Sequence, residues 1–404
     1  MADDIHGTPD TPHLPDARLA DASHEGSPTI GFLELFYDLV FVASTMVLSN
    51  AFSEHLTWRW AGICSLIYAL VWMLWFHTTL LMNVERRDDF GHRSLVLLQM
   101  FLIAMTTLTF VDREASHNDF LGLTYGLAVI TVAVMYHRTA KANPDSAAWA
   151  TMRRNRLLVA GVLLMANTWL PDWADTVMFV VAIAVLVLPS SLGTERKRPF
   201  PPVDVHHLTE RAALLTLIMC GEAFVKVGLV VSSGTIEEGD IIAIVIEFLV
   251  VFALFWTYFD DVPKAGIRRG YAWGEVWMLS HLPLQIGIVA IAIGMSKYLQ
   301  VHDGHIHDEV IGILGTGWVT VYGGLALIGA CGQRRPVVPL LLLRVGTATA
   351  AFVLTLTDAM WEWVSPPVLV ALLACFSVSH AVVAAHLRQT TVVVPVLDAP
   401  GRRS

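Results

Sequence analysis

Apolar runs about 18 or more residues long, almost free of charge, follow one another along the chain, and a helix needs such a run to cross a bilayer. We place twelve of them, at residues 32–52, 58–82, 93–111, 119–137, 156–171, 174–192, 208–232, 239–259, 273–298, 309–330, 336–357 and 364–386. The fifth and sixth are short and are separated only by Pro171–Asp172. Apolar residues in these runs do not alternate with polar ones as barrel strands require. Helices and closed barrels are the only spanning structures that satisfy backbone polar groups in lipid. The pattern therefore predicts an all-α polytopic membrane protein of about twelve transmembrane helices, with the lipid bilayer as its main partner.

Composition agrees: of 404 residues, 55% are hydrophobic and 15% charged, too little charge to cover a soluble domain of this size. Lys and Arg set the orientation. Arg59, Arg113 and Lys297 fall on one side, Lys226 and Arg344 fall inside spans, and all the others fall on the opposite side with both termini. The positive-inside rule makes that side cytoplasmic in a multi-pass protein of the cell membrane. Residues 1–29 are polar, acidic and Pro-containing. They lack the basic and apolar regions of a signal peptide and read as a disordered cytoplasmic tail, with a second short tail at 389–404. Cys64, Cys220, Cys331 and Cys375 are scattered through apolar spans, which indicates neither a disulfide framework nor a Cys metal site. No Gly-rich nucleotide loop, Ser/His/Asp arrangement or nucleic-acid motif appears.

The halves at 30–200 and 201–388 echo each other. FLELFYDLVFVA (32–43) opens one and LTERAALLTLIMCGEA (208–223) the other, placing Glu34 and Glu210 in comparable first turns. Later, VWMLWFHTTLLMNVERRDDFGHR matches FALFWTYFDDVPKAGIRRG, an aromatic cluster followed by acidic and basic residues. Beyond these lie Gln99 and His281, each polar in an apolar helix. An even number of helices separates the landmarks, so the halves are predicted to be two parallel six-helix repeats. The segment Phe32–Val42, the Asn83, Asp88, Asp89, Arg93 stretch and Gly221–Glu222 resemble the bacterial low temperature requirement A family over nearly the whole membrane region. That resemblance implies a polytopic membrane protein and leaves its chemistry to the residues.

Ionisable groups in the bilayer are costly unless paired or hydrated, so each is a candidate site. Glu34 and Asp38 share one face of the first helix; they bind a cation, share a proton, or compensate the helix dipole. Glu222 and Lys226 have salt-bridge spacing in the seventh. Glu34, Asp38, Glu222 and His281 are the candidate catalytic or proton-carrying groups. The acidic pairs closing the second and eighth helices, Asn83 with Asp88–Asp89 and Asp260–Asp261, lie beside Arg86, Arg93, Lys264 and Arg268. Carboxylates facing across an opening between cations suit Mg²⁺ on a diphosphate. The aromatics Trp72, Trp75, Phe76, Trp256 and Tyr258 would line a cavity for an isoprenoid tail and its carbocations. His302, His305 and His307, with neighbouring acids, form a loop that either binds metal weakly or is simply soluble.

Two functions follow. One is a membrane-embedded enzyme that ionises a prenyl diphosphate with Mg²⁺ at the cytoplasmic face, for terpene cyclisation or prenyl transfer. The alternative is a proton- or cation-coupled secondary transporter of a small molecule, whose site lies deeper. Both rest on topology. Reporter fusions at residues 142 and 304 should give opposite signals, cytoplasmic and external; identical signals would reverse the depth of every site.

Overall fold

The computed structural model describes residues 31–85, 87, 89–116, 120–170, 172–187, 201–233, 238–268, 271–300, 308–332 and 338–390. Among them are thirteen helices: α1 (Phe32–Glu54), α2 (Trp58–Val84), α3 (Phe90–Ser116), α4 (Leu121–Ala142), α5 (Ala147–Asn167), α6 (Asp172–Val187), α7 (Val205–Ser233), α8 (Glu238–Ala265), α9 (Tyr271–Leu279), α10 (His281–Gln300), α11 (Asp308–Ala330), α12 (Val338–Trp361) and α13 (Pro366–Thr390). No strand forms among the described residues; one antiparallel bridge joins Ile267 and Gly332. The two tails (apart from the end of α13), Arg86, Asp88 and the His302–His307 loop lie outside the described residues.

Helix starts follow local chemistry. The Thr57 side chain accepts the Trp60 N–H at 3.3 Å and caps α2, while Asp89 accepts the His92 N–H at 2.9 Å and caps α3. Asp204 accepts the His206 and His207 N–H groups at 3.0 and 3.1 Å and caps α7. Each cap satisfies donors that a helix start leaves open. Pro283 has no N–H, and its ring crowds the carbonyl of Leu279, where α9 ends. The ninth predicted span is accordingly two helices, α9 and α10, meeting at Ser280.

Nine stretches of described helix, with α9 and α10 counted together as Trp273–Tyr298, are long and apolar enough to cross a membrane. Of the other three, α5 carries the Arg153–Arg154–Asn155–Arg156 segment and α6 has only 16 residues. The start of α5 corrects the sequence expectation, which left residues 147–155 as loop. Arg153 is only 3% exposed because its guanidinium donates to Glu275 of α9 at 2.6 Å, and this pair draws the basic segment into the bundle. Exposed apolar side chains such as Leu39, Phe101, Val159, Phe252, Leu342 and Val382 cover the outside, as expected of a surface facing lipid rather than water.

Within the first half α1 packs on α2 and α3, α3 on α4, α4 on α5, and α5 on α6. Within the second, α7 packs on α8 and α10, α10 on α11, α11 on α12, and α12 on α13. Apolar side chains gain little by leaving lipid for one another, so close packing by small residues holds such helices together. A Cβ added to Gly126 of α4 would lie 2.8 Å from the Gly161 carbonyl of α5, and one on Gly317 of α11 would lie 3.2 Å from the Gly287 carbonyl of α10. Gly126→Ala should therefore destabilise the fold by about 1–3 kcal/mol, read as a lower melting temperature in detergent. Gly228→Ala, where nothing lies within 4 Å, should be neutral or stabilise by up to about 1 kcal/mol through helix propensity.

Candidate functional site

The site grows out of the seam between α1 and α7. Glu34 Oε2 meets His207 Nε2 at 3.0 Å and Arg211 Nη1 at 3.1 Å, and Arg211 Nη2 donates to Asp38 Oδ1 at 2.6 Å. Further along, Ser49 Oγ donates to Glu222 Oε1 and Lys226 Nζ donates to Asn50 Oδ1. The sequence separation of these contacts stays at 173 to 177 residues, so α1 and α7 run parallel. Both begin at one face, called proximal below, and end at the distal one. Asn83, near the end of α2, closes the proximal end. Its side chain donates to the Asp204 carbonyl at 2.8 Å, accepts the Asp204 N–H at 2.9 Å and lies 3.3 Å from His207 Nδ1.

An aromatic layer divides this polar file. Trp75 Nε1 donates to Asp38 Oδ1 at 2.7 Å on one side; Trp72 Nε1 donates to Gln285 Oε1 at 2.9 Å on the other. The two indoles are 5.7 Å apart, Phe76 stacks on Trp72 at 5.7 Å, and Phe41 lies 6.4 Å from Trp75. Gln285 also accepts the Tyr68 hydroxyl at 2.9 Å and donates to Thr216 at 3.3 Å. On the distal side of the layer, Thr45, Ser49, Phe52, Cys64, Tyr68 and Ile293 are among the walls of a small, mainly apolar recess of about 50 Å³. Asp38 Oδ2 and Glu222 Oε2 are buried without a hydrogen-bond partner. Each carboxyl keeps one oxygen free to take a proton.

The other predicted residues lie elsewhere. Trp72, Trp75 and Phe76 pack ring against ring in the core instead of lining a cavity, because Asp38 and Gln285 satisfy both indole N–H groups there. Trp256 is 59% exposed on the outside, donating to Asp260 at 2.8 Å, and Tyr258 is buried with its hydroxyl 3.0 Å from His281 Nε2. His281 Nδ1 lies 2.9 Å from the Trp277 carbonyl, so this pair braces the α9–α10 junction. Glu222 and Lys226, expected to bridge each other, pair instead with α1. Asn83 is spent on the start of α7.

The acidic pairs at the rim are held by cations. Asp89 meets Arg138 of α4 at 2.7 Å; the His92 N–H and that guanidinium hold its carboxyl below the usual range. Asp260 pairs with Lys264 at 3.0 Å and Arg388 at 3.4 Å, and Asp261 pairs with Arg344. Arg268 lies over the Trp273 ring at 4.5 Å, and Arg93 is exposed in the first turn of α3. Among the described residues no three His, Cys, Asp or Glu side chains converge as a metal site.

Sequence reasoning missed Arg211 and His207, the guanidinium and the imidazole that answer Glu34 and Asp38. Two acids one turn apart demanded such a partner, and the repeat spacing pointed near it. It also missed Gln285, four residues beyond His281 and the closer counterpart of Gln99. Gln99 in turn accepts from Thr78 at 3.0 Å and donates to Tyr37 at 2.9 Å.

The model of the family described as Bacterial low temperature requirement A protein matches residues 29–378. An uncharacterized protein of Rhizobium meliloti (strain 1021) is 24% identical over 285 residues, which is 65% of this chain and 68% of that protein. No solved structure matches.

Arg211 has none of its surface exposed, so removing it leaves Asp38 and Glu34 without their shared cation. Arg211→Met should cost about 3–5 kcal/mol, measured by unfolding in detergent. The double change Arg211→Met, Asp38→Asn strands less charge and should recover part of that loss. If the double variant is as unstable as the sum of its parts, the pair is not coupled.

Proposed function

The chain belongs to the bacterial low temperature requirement A family, and from the polar file in its α1–α7 seam we propose that it is a secondary transporter coupling a small molecule to protons. One observation carries the reading: Asp38 and Glu222, buried acids with a free oxygen each, sit on opposite sides of an aromatic layer. From Asp204 to Lys226 the file covers roughly 33 Å of helix rise, comparable to the hydrocarbon thickness of about 30 Å. Enzyme sites at a rim do not need such a file; alternating access does. In this mechanism Asp38 exchanges protons with the proximal face through Glu34 and His207. Glu222 exchanges with the distal recess through Ser49, and movement of Trp72 and Trp75 connects the two.

We read the two halves as parallel six-helix repeats, supported by the matching neighbour order of their helices. The seam would then lie beside the pseudo-two-fold axis, where rocking of one half on the other opens either side. The solute that fits the recess is small and mainly apolar, held by the Ser, Thr and Tyr hydroxyls on its wall.

A prenyl-diphosphate reaction is the second reading, favoured by the rim between α8 and α13, where Lys264, Arg268, Arg344 and Arg388 outnumber Asp260 and Asp261. Any Mg²⁺ would arrive with the diphosphate. Membranes given geranyl, farnesyl or geranylgeranyl diphosphate with Mg²⁺ should yield no new hydrocarbon or alcohol; a product would replace transport by catalysis.

The direct test uses proteoliposomes with a trapped pH dye and a panel of small apolar solutes, isoprenoid alcohols among them. Wild type should move protons when its solute is added. Glu222→Gln should reduce that flux to the level of empty liposomes while the protein stays folded. Full coupled flux from folded Glu222→Gln would remove Glu222 from the mechanism.

A further inference from the structure

Glu247 of α8 has a use in neither the seam nor the rim. It lies within the apolar span Ile241–Ala265, is 1% exposed, and neither carboxylate oxygen has a hydrogen-bond partner. An ionised carboxylate left in that state is far costlier than a neutral carboxyl, so the side chain holds its own proton. Its depth follows from the α7–α8 contacts. Val227 packs with Ala243, and Phe224 stacks on Phe248 at 4.9 Å between ring centres. The two helices are antiparallel, and this register sets Glu247 about one turn or less from the level of Glu222.

We propose that Glu247 is a second exchangeable proton site of the distal half, protonated in this conformation. Its physiological role rests on the coupled-transport reading, which it extends by naming a further acid at the depth of Glu222. The helices packed on α8 are α7, α10, α11 and α13. The titratable groups described in their distal halves are Cys220, Glu222 and Lys226, Lys297 and Tyr298, Glu309, and Cys375. None of these hydrogen-bonds either Glu247 oxygen. Lys226 is committed to Asn50 and Glu222 to Ser49, so Glu247 titrates without a fixed counter-ion.

A protonated carboxyl in apolar surroundings reacts with a lipid-soluble carbodiimide. The acid proton moves to one carbodiimide nitrogen and the carboxylate oxygen bonds to the central carbon. The acyl group then shifts from that oxygen to nitrogen, giving a stable N-acylurea with nothing expelled and no change of oxidation state. The experiment treats the intact protein in native membranes with dicyclohexylcarbodiimide and maps adducts by peptide mass spectrometry. The expected result is an adduct on Glu247 that declines as external pH is raised over the range in which the protein stays folded. Glu247→Gln should lose the adduct and keep the wild-type melting temperature, since Gln is shaped like the neutral acid. No adduct, an adduct indifferent to pH, or a marked loss of stability in Glu247→Gln would each overturn the proposal. Coupled flux in proteoliposomes without a Glu247 adduct sinks this site alone. A pH-sensitive adduct without coupled flux for any solute sinks the transport reading and leaves Glu247 as a titrating acid.

Discussion

The guanidinium of Arg211, fully buried between Glu34 and Asp38 of a neighbouring helix, fixes how the two halves of the chain meet. In lipid, ions separated from their partners have no water to fall back on, so removing either member costs more than the pair contributes. This makes the contact a specification of register. A slide of α7 along α1 by one turn would separate Arg211 from Asp38, His207 from Glu34 and Ser49 from Glu222 together. The constant spacing of these contacts is the physical reason that α1 and α7 stay parallel and aligned over most of their length.

The same device fastens the periphery. Arg153 joins α5 to α9 through Glu275 and lies 3.1 Å from His77 Nδ1 of α2. Arg344 joins α12 to Asp261 of α8 and donates to the Leu325 carbonyl of α11 at 2.8 Å. Each buried guanidinium ties together three helices, which its several donors in a fixed fork allow and a lysine would not. Apolar packing through glycines brings the helices close; the arginines decide which helices are neighbours and at what height. The rim carboxylates Asp260 and Asp261 belong to this scheme first, and any ligand at the rim has to compete with Lys264, Arg344 and Arg388 for them.

Where nine of the twelve spans lie was legible in the sequence, because hydrocarbon thickness imposes a length and an apolarity that leave a plain trace. The trace weakens where tertiary contacts substitute for apolarity. Arg153 reads as a loop cation until Glu275, 122 residues away, neutralises it, and the sequence offers no pattern for such a distant partner. The importance of Glu34, Asp38 and Glu222 was legible as charge in the wrong medium, but their partners were not. Spacing within one helix suggested Glu222 with Lys226, whereas the facing helix supplied Ser49 and Asn50 instead. The aromatic cluster was legible, and the structure buries Trp72 and Trp75 in the core. Trp72 and Trp75 were read as cavity walls, and their N–H groups make them part of the packed division between two polar segments.

The two acids flanking that division are held differently, and on the coupled-transport reading the difference gives direction. Asp38 shares its cation with Glu34 and also accepts an indole N–H, which favours the ionised form. Glu222 has only a hydroxyl as hydrogen-bond partner, a contact that a neutral carboxyl can make as well. The guanidinium thus acts on the proximal acid and the hydroxyl on the distal one. Any motion that draws Arg211 away from Asp38 raises the proton affinity of the proximal side. On that reading the α1–α7 seam would move a proton by moving a guanidinium, as the two halves shift against each other.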